Sequence, residues 1–453
     1  MPKKKTALTI EERLQQALVP AEEQPYEVPE NWVWVRLGAI AEIVTGGTPS
    51  KKHPEYYGGN FPFYKPSDLD QGRLTYDASE YLSEEGKKVS RIIPKNSTAV
   101  CCIGSIGKCG YLMCEGTTNQ QINSAIPKIN SLCLYYYLCT ENFVQNLFSM
   151  ASATTIAIVN KSKMESCAFP LPPLSEQQRI VERIEELFAK LDEAKERLQE
   201  VVDSFAVRKA AILHRAFTGE LTKQWRRENG VSDESWEEKK GEDFFEYVTS
   251  GSRGWAKYYS DKGSIFVRMG NLNHGTIELD FSDIQYVELP DQVEGQRSKL
   301  QKNDILISIT ADVGMIGLVR EDMDAYINQH VALARPKNDL YAEFLAWYFV
   351  SDVGLQQMQN KQRGATKIGL GLQDIRSIIL KIPSLSEQHE IVRLIDDLLA
   401  RERTAQQAAE QALASIDLMK KSVLARAFRG ELGTNKASEA SALELLRQVL
   451  AEG

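Results

Sequence analysis

The sequence predicts an α+β protein built from two copies of one unit, in which a strand-rich globular part precedes a long helix. Short alternating apolar stretches between glycine-rich turns indicate the strands, and an apolar heptad indicates the helices. The duplication comes from an internal repeat. Residues 174–191 read LSEQQRIVERIEELFAKL and residues 385–402 read LSEQHEIVRLIDDLLARE, an offset of 211 positions (174 to 385). Residues 215–221, RAFTGEL, and 426–432, RAFRGEL, keep this offset, so both helical parts have equal length.

The globular parts that precede the helices repeat more loosely. The matched positions are 32 with 236, 42–47 with 246–251, 62–69 with 265–272, 106–110 with 313–317, and 119–121 with 328–330. Their offsets drift from 203 (62 to 265) to 209 (119 to 328). We expect such a drift where surface loops of the two copies differ in length.

Each copy ends in a helix whose apolar residues recur in steps of four and three, as in a heptad seam. Arg208 and Glu402 are the charged interruptions of the two seams. The seam positions predicted to pack are Ile180, Ile184, Leu187, Leu191, Leu198 and Phe205 in the first helix, and Ile391, Ile395, Leu398, Ile416 and Val423 in the second.

The ends of the helices also have sequence signals. Ser175 with Gln178 predicts a capping box at the start of the first helix, and Gly219 and Gly430 are the expected residues just beyond the ends. A helix from Ser175 to Phe217 would be roughly 64 Å long at about 1.5 Å per residue. Two equal helices most simply bury their seams against each other as an antiparallel pair, which makes a spacer. The alternative is that each helix dimerises with another chain.

The predicted organisation follows from these boundaries. The segments are an extension with a short helix over 1–30, a first domain over 31–172, a central helix over 173–222, a second domain over 223–382, a second helix over 383–433 and a helical tail over 434–453. The two terminal segments are either docking sites for a partner or solvated helices.

Composition restricts the class of protein. The net charge of −8 argues against binding to nucleic acid through a bulk positive field, although local basic grooves remain compatible with it. The seven cysteines all lie in the first half without a C-x-x-C spacing, which favours buried free thiols over a zinc site. No apolar run is long enough for a membrane span and the start is not a secretory signal, so we expect a cytoplasmic protein.

Polar side chains in the loops of the globular parts are of the types that contact phosphates and base edges. The candidates for DNA binding are Thr48, Ser50, Lys51, Lys52, Tyr64, Lys65, Lys108 and Lys161 in the first copy, and Ser252, Arg253, Lys257, Arg268, Asn271, Arg363, Thr366 and Lys367 in the second. Each of them alone is more often a solvated surface residue. Residues 119–121 and 328–330 are equally compatible with structural amides beside a turn and with a binding site.

The combination of LPPLSEQQ (171–178), a heptad helix, RAFTGEL (215–221) and their repeats resembles the specificity subunit of type I restriction–modification enzymes. The resemblance covers residues 31–433, with Ile382-Pro383-Ser384 replacing the double proline in the second copy. It implies two inverted target-recognition domains, separated by two long antiparallel helices and related by a pseudo-twofold axis. Each domain would then read one half of a bipartite, asymmetric site on double-stranded DNA, and the helices would set the distance between the halves.

The resemblance also implies partners and assigns the chemistry to them. Two methyltransferase (modification) subunits, which bind S-adenosylmethionine and methylate adenine, would dock along the helices. Two restriction subunits would supply ATP-driven translocation and a Mg²⁺-dependent nuclease. No cofactor is expected on this chain, because it contains neither an Asn-Pro-Pro-Tyr or Asp-Pro-Pro-Tyr motif nor a phosphate loop, and its five histidines make no nucleophile–base set.

Two other functions remain open at this stage. The chain could serve a methyltransferase system that has no restriction partner, and nothing in its sequence separates the two systems. It could also be a two-lobed coiled-coil scaffold that binds protein ligands, which would show no salt-dependent affinity for DNA. A self-contained nuclease or methyltransferase is the weakest alternative, because the active-site motifs are missing.

Overall fold

The computed structural model describes residues 9–72, 74–151, 157–290, 295–338, 340–363 and 369–452. The chain divides into two compact units. The first unit consists of Met1–Leu198 with Ala412–Gly453, and the second consists of Gln199–Gln411. Each unit therefore contains one globular part together with the beginning of one long helix and the end of the other.

Helices and strands alternate irregularly along the chain, as expected for an α+β protein. The α-helices are α1 (Ile10–Ala17), α2 (Leu37–Ile40), α3 (Glu84–Lys88), α4 (Ser131–Leu138), α5 (Glu141–Met150), α6 (Lys161–Glu165), α7 (Leu174–Asp203), α8 (Phe205–Phe217), α9 (Lys223–Glu228), α10 (Gly241–Phe244), α11 (Ala342–Val350), α12 (Asp352–Asn360), α13 (Leu372–Arg376), α14 (Leu385–Ala427) and α15 (Ala442–Glu452). The strands are β1 (Val33–Arg36), β2 (Ala41–Thr45), β3 (Tyr57–Tyr64), β4 (Leu74–Thr75), β5 (Glu80–Leu82), β6 (Thr98–Cys101), β7 (Cys109–Leu112), β8 (Thr117–Thr118), β9 (Ile122–Pro127), β10 (Ala168–Leu171), β11 (Glu237–Lys240), β12 (Phe245–Ser250), β13 (Tyr259–Ser260), β14 (Ser264–Val267), β15 (Tyr286–Val287), β16 (Ile305–Ser308), β17 (Ile316–Leu318), β18 (Ala325–Ile327), β19 (Val331–Pro336) and β20 (Ile379–Ile382).

The first unit contains a five-stranded sheet in the order β2-β9-β6-β7-β4, a three-stranded sheet β5-β3-β8, and the pair β1-β10. The second unit repeats this plan with β12-β19-β16-β17, β13-β15-β14-β18 and the pair β11-β20. The buried helices α4 and α11 occupy the same place in the two copies, directly after β9 and β19 respectively. The predicted α+β class and the duplication are thus both confirmed.

The registers of β2 and β12 correct the alignment of the two copies. Ala41 lies opposite Pro127, and Phe245 opposite Pro336, at offsets of 204 and 209 (41 to 245, 127 to 336). A β-bulge between Phe245 and Tyr247 then adds one residue to β12. Beyond the bulge, each β2 residue corresponds to the β12 residue whose number is 205 higher. Part of the drift in the offset between the copies therefore arises inside a strand, in addition to the loops.

The first long helix differs in detail from the prediction. It begins at Leu174, so Ser175 already lies in its first turn, and Gln178 bonds to Asn130 and Glu182 instead of forming a capping box. It is also divided at Ser204 into α7 and α8, whereas α14 is continuous over 43 residues. The Ser204 hydroxyl donates to the Val201 carbonyl at 2.8 Å, a bond that competes with regular helix geometry.

The ends of both helices follow the prediction. Gly219 has φ +77° and Gly430 has φ +74°, the left-handed conformation that ends a helix without a side-chain clash. The peptide N–H of Leu221 closes back onto the carbonyl of Arg215 at 2.9 Å. Each helix therefore ends just before the glycine of its RAFTGEL or RAFRGEL motif.

Within each unit the long helices run antiparallel. In the first unit Lys420 pairs with Asp192 at 2.5 Å and Asp417 lies 3.8 Å from Lys195, so the numbering rises on one helix as it falls on the other. Four predicted seam residues are fully buried, but they contribute to the cores of the units as well as to the helix contact: Ile180, Ile184, Ile391 and Ile395.

The remaining seam residues are buried to different degrees. Phe205 and Ile416 are buried, while the half-buried members are Leu187, Leu191, Leu198, Leu398 and Val423. In the second helix the better buried position is Leu399, at 5% exposure, so the seam shifts by one residue from the predicted Leu398. Met419, which continues the heptad steps between Ile416 and Val423, is half-exposed.

The Leu-Ser-Glu-Gln motif at the start of each helix has a structural explanation. Glu176 is buried and accepts a 2.6 Å hydrogen bond from the hydroxyl of Thr434, which follows the end of α14. Glu387 is buried in the same way and accepts from Thr222, which follows the end of α8, also at 2.6 Å. The start of each repeat helix is thus tied to the segment after the end of the other helix, within one unit.

The adjacent glutamine extends the exact repeat backwards into the globular parts. Gln177 donates to the Pro172 carbonyl and accepts from the Asn130 peptide N–H. Gln388 makes the same two bonds with the carbonyl of Pro383 and the peptide N–H of Tyr341. The offset between the two sets is again 211 (130 to 341), so the region of constant spacing begins before the helix.

The terminal helices bury their apolar faces in the first unit. Leu14 and Ala17 of α1 and Leu446 and Leu450 of α15 belong to one buried cluster with the globular core. Glu439 pairs with Arg179 at 2.7 Å. The apolar faces of these two helices are therefore covered inside the unit, which differs from the expectation of solvated helices, while docking of a partner on their outer faces stays a prediction.

Candidate nucleic-acid interface

The second unit has a cleft of about 810 Å³ beside the loop that follows β12. Its lining is polar and basic, and consists of Ser250, Gly251, Ser252, Arg253, Gly254, Trp255, Lys257, Tyr258, Arg297 and Gln329. Three of these side chains are cations and none is a carboxylate. The cleft is therefore locally positive although the net charge of the chain is −8, which is the arrangement needed for contacts with phosphates.

An aromatic anchor fixes the loop that lines this cleft. Trp255 is 5% exposed, stacks on Phe266 with ring centroids 5.6 Å apart, and meets the edge of Tyr326 at 5.4 Å. The neighbouring cations Arg253 and Lys257 are exposed. Because the buried indole holds the loop, the two charged side chains extend from a fixed backbone.

A tight turn presents Gln329 to the same cleft. The Asn328 side-chain oxygen accepts from the peptide N–H of His330 at 3.0 Å, and the Asn328 N–H donates to the carbonyl of Val267 at 3.1 Å. Gly251 packs against this turn so closely that a Cβ would lie 2.0 Å from the carbonyl oxygen of Ile327. Only glycine allows this approach between loop and turn.

The first unit contains the same turn beside its own basic loop. Asn119 is buried, its side-chain oxygen accepts from the Gln121 N–H at 3.0 Å, and a Cβ on Gly46 would lie 2.1 Å from its carbonyl oxygen. Gln120 is exposed and accepts from the hydroxyl of Thr48. Both asparagines therefore act as structural amides, while the alternative of a binding site within residues 119–121 and 328–330 stays a prediction.

The basic loop of the first unit lies on the surface. Thr48, Ser50, Lys51 and Lys52 are exposed, while Pro49 between them is buried. The hydroxyl of Tyr57 donates to the Pro49 carbonyl at 2.6 Å. The proline thus attaches the loop to β3 and leaves four predicted DNA-binding residues accessible.

Other predicted cations are accessible but paired with carboxylates. The ion pairs are Lys65 with Glu80 at 2.8 Å, Lys108 with Asp70 at 2.5 Å, Lys161 with Glu165 at 3.5 Å, Arg268 with Asp283 at 2.8 Å, and Arg363 with Asp374 at 3.0 Å. Exposed pairs of this kind are weak, with a typical strength of about 0–1 kcal/mol. Their assignment as DNA contacts stays a prediction, and Thr366 and Lys367 lie outside the described residues.

Two of the predicted contacts are inside the fold, and their assignment is corrected. Tyr64 is fully buried, and burial raises the pKa of its phenol well above the usual value. Asn271 is 3% exposed; it accepts from the Arg268 N–H and donates to the carbonyls of Asp280 and Asp283. It closes a turn, as Asp68 does in the first unit by accepting from the peptide N–H three residues before it.

Arg297 is not among the residues predicted from the sequence, and Gln120 and Gln329 were predicted only as members of their tripeptides. Arg297 lies in a segment of the second copy with no matched counterpart in the first, so the repeat gave no signal for it. The two glutamines lie in the repeated segments 119–121 and 328–330. The spacing of an Asx turn is the signal that could have distinguished them, as exposed residues, from their neighbours. In such a turn Asn at the first position bonds to the third, and the second position is left to face outwards.

The cysteines form no disulfide among the described residues. Cys101, Cys102, Cys133 and Cys167 are buried free thiols, as predicted, while Cys114 is exposed. Burial raises the pKa of the Cys102 thiol to about 12. Among the described residues there is no cluster of His, Cys, Asp and Glu that could hold a metal ion, and no helix is long and apolar enough to cross a membrane.

Comparison with known proteins identifies the family. The family model described as type I restriction modification DNA specificity domain matches residues 29–203 and 233–412. The EcoBI specificity subunit of Escherichia coli is 28% identical over 460 residues, covering 94% of this chain and 93% of that protein. The EcoKI specificity subunit of Escherichia coli K12 is 25% identical over 455 residues, covering 94% and 96%.

A solved structure has the same fold. The HsdS subunit from Thermoanaerobacter tengcongensis matches with a TM-score of 0.64 at 17% identity, and the alignment covers 90% of this chain and 99% of that one. The match to the family model is in both halves of the sequence and over most of its length. The chain therefore belongs to the family of type I restriction–modification DNA specificity subunits.

Proposed function

We propose that this chain reads a bipartite, asymmetric site on double-stranded DNA for a type I restriction–modification complex and contributes no catalytic group. The observation that carries the proposal is a local arrangement that both units share. In each unit a glycine packs on an Asx turn beside a loop rich in cations or hydroxyls. The glycine and the asparagine of the turn are Gly46 and Asn119 in the first unit, and Gly251 and Asn328 in the second. Two copies of a reading surface require two half-sites.

The asymmetry of the target follows from the differences between the two loops. The first reads Thr48-Pro49-Ser50-Lys51-Lys52, and the second reads Ser252-Arg253-Gly254-Trp255-Ala256-Lys257. Side chains of different type and spacing present different donors and acceptors to base edges. The two half-sites should therefore differ in sequence, and a palindromic target would contradict the proposal.

The long helices supply the spacing in this proposal. Their region of constant offset, 211 positions, includes no insertion between the start and the end of the helical parts. A segment that sets the number of unspecified base pairs between two half-sites needs such a fixed length, whereas the domains that read the bases can vary. Half-sites about one helical turn of DNA apart would present both major grooves on one side.

Partner subunits perform the chemistry. Two modification subunits that bind S-adenosylmethionine would each take a flipped adenine from one half-site, and two restriction subunits would supply ATP-driven translocation and Mg²⁺-dependent cleavage. The support is that the EcoBI and EcoKI relatives are named as specificity subunits of type I restriction enzymes.

Single-molecule sequencing of adenine methylation tests the proposal. Host DNA would be compared with the gene present, deleted and restored. Loss of methylation at one bipartite, asymmetric motif upon deletion, and its return upon restoration, is the expected result. Identical methylation in all three strains, with a modification subunit present in the cell and bound to this chain, would overturn it.

A further inference from the structure

We propose that Gln120 and Gln329 are equivalent base-reading residues, each of which recognises an A·T pair in the major groove of its own half-site; this inference rests on the proposed function. The two residues hold the central position of the two Asx turns described above. Gln120 is exposed, and Gln329 lines the basic cleft of the second unit. The inference assigns the specificity at one position of each half-site to a single amide.

The backbone under each glutamine is fixed from two sides. The peptide N–H of Asn119 donates to the carbonyl of Tyr64 at 3.0 Å, and its side chain closes the turn onto Gln121. Gly46 meets the turn from the other side, and its N–H donates to the carbonyl of Ile122 at 2.9 Å. A reading side chain needs this kind of support, because a loose one would accept any base at little cost.

The same support exists in the second unit. There the Asn328 N–H donates to Val267, and the Asn328 side chain closes the turn onto His330. Gly251 meets the turn through its N–H, which donates to the carbonyl of Val331 at 3.4 Å. The agreement between the units is notable because the rest of the surrounding loops differs in sequence and length.

Neighbouring side chains orient each amide. In the first unit the hydroxyl of Thr48 donates to the oxygen of the Gln120 side chain, and the Gln120 amide nitrogen makes no hydrogen bond to the described residues. In the second unit the amide nitrogen of Gln329 lies 2.9 Å from Nε2 of His330, whose Nδ1 lies 2.6 Å from the hydroxyl of Thr310. Each glutamine is thus held by a different partner, while the carboxamide stays at the surface.

The chemistry of the carboxamide selects the base. A carboxamide offers one donor and one acceptor side by side, which match N7 and the N6 amino group of adenine in the major groove. A bidentate pair of this kind discriminates against other bases by roughly 5- to 150-fold. The cations beside Gln329, Arg253 and Lys257, would contact phosphates and position the amide without contributing to base identity.

The test uses the full complex of this chain with its modification subunits, expressed in cells without other adenine methylation. The motif methylated by the wild type is compared with those of Gln120→Ala and Gln329→Ala. Each alanine variant should keep the wild-type motif except at one A·T position, and the two positions should fall in different halves. The loss of discrimination there should be 5-fold or more.

Glutamate variants distinguish base reading from a structural role. Gln329→Glu keeps the size of the side chain but offers only acceptors, which suit the amino group of cytosine. It should therefore move the preference at the same position from A·T towards C·G. The matched control is Gln224→Ala, an exposed glutamine on α9 paired with Glu228, which should leave the motif unchanged.

The outcomes separate this inference from the function on which it rests. If the wild-type chain directs methylation to no bipartite motif, the proposed function fails. If the wild-type motif is found and both alanine variants methylate it with unchanged stringency, the inference fails and the function stands. The inference also fails if Gln329→Ala and Gln329→Glu both abolish methylation while the complex assembles and unfolds at the wild-type temperature.

Discussion

Arg208 and Glu402 pair with each other, with the guanidinium Nε 2.8 Å from the carboxylate Oε2. They are the charged residues that interrupt the two otherwise apolar helix seams, and both belong to the second unit. Arg208 also lies over the ring of Phe205, 4.3 Å from its centroid. Each interruption is therefore the partner of the other. A single polar pair inside an apolar seam specifies which positions of two helices face each other.

The pair should stabilise the second unit modestly. Both side chains are partly exposed, at 37% and 28%, so Glu402→Ala should lower the free energy of unfolding by about 1 kcal/mol. A double-mutant cycle of Arg208→Ala and Glu402→Ala, measured by urea unfolding of the full chain, should give a coupling energy of about 0.5–1 kcal/mol. The exposed pair Arg197–Glu193 on α7 is the control and should couple less. Equal coupling in both cycles would contradict a role in register.

A second ion pair, which joins the first turn of the second long helix to α9, should matter more. Glu387 is fully buried, and Arg226, itself 6% exposed at the side chain, donates to it at 2.7 Å. Among the residues that the structure describes, Arg226→Ala would leave this buried carboxylate with only the hydroxyl of Thr222, and it should cost about 3–5 kcal/mol of stability. Thermal unfolding of the full chain measures this, with Arg393→Ala, which breaks the surface pair with Glu390, as the control. A cost below about 1 kcal/mol for Arg226→Ala would rule out this account.

The helical half of the fold could be predicted because its repeat has a constant offset. The apolar heptad predicts the two helices. The constant offset of 211 residues predicts their equal length and the matching glycines beyond their ends, without any knowledge of the domains. The break at Ser204 could not be predicted from periodicity, because the apolar steps continue through it. It depends on a side-chain hydroxyl that bonds to the Val201 carbonyl.

The candidate site could be predicted only in part, because exposure of a residue near a strand end is a tertiary property. Tyr64 ends β3, where Phe63 and Tyr64 are both buried, so the alternation that usually separates inside from outside is lost. Asn271 resembles a base-reading amide by type, but it occupies the closing position of a turn. The i to i+3 spacing from Lys65 to Asp68 and from Arg268 to Asn271 was the available signal.

Two adjacent glycines of the first unit should respond differently to a single methyl group. A Cβ on Gly46 would lie 2.1 Å from the carbonyl oxygen of Asn119, whereas a Cβ on Gly47 would have no neighbour within 4 Å. Gly46→Ala should therefore destabilise the first unit by about 2 kcal/mol or more, and Gly47→Ala by less than about 0.5 kcal/mol. Melting temperatures of the two variants compare them directly. Similar melting temperatures would show that the turn does not lie against the loop.

The cations of the cleft should contribute to affinity without contributing to sequence preference. Arg253→Ala, Lys257→Ala and Arg297→Ala should each weaken binding to target and non-target duplexes by similar factors, and should reduce the salt slope of the logarithm of the affinity by about 1. Fluorescence anisotropy of labelled duplexes with the full complex, at several salt concentrations, measures both quantities. Lys381→Ala, on β20 and outside the cleft lining, should leave the slope unchanged. A change in preference among bases without a change in slope would contradict a phosphate-binding role.

The thiols should differ sharply in reactivity, because the thiolate is the reactive form and burial suppresses it. Burial raises the pKa of Cys102 and of Cys167 to about 12, so at about pH 8 only a small fraction of either thiol is ionised. Cys114 is exposed, and should react first with a maleimide, with the buried thiols following only upon unfolding in urea. Raising the pH from about 7 to about 9 should leave Cys102 and Cys167 slow, because both pH values lie below the raised pKa of these two thiols. Mass spectrometry of the labelled chain locates the modified residues. In a Cys114→Ser variant the fast phase should disappear, and rapid labelling of Cys102 or Cys167 in the folded variant would contradict their placement in the core.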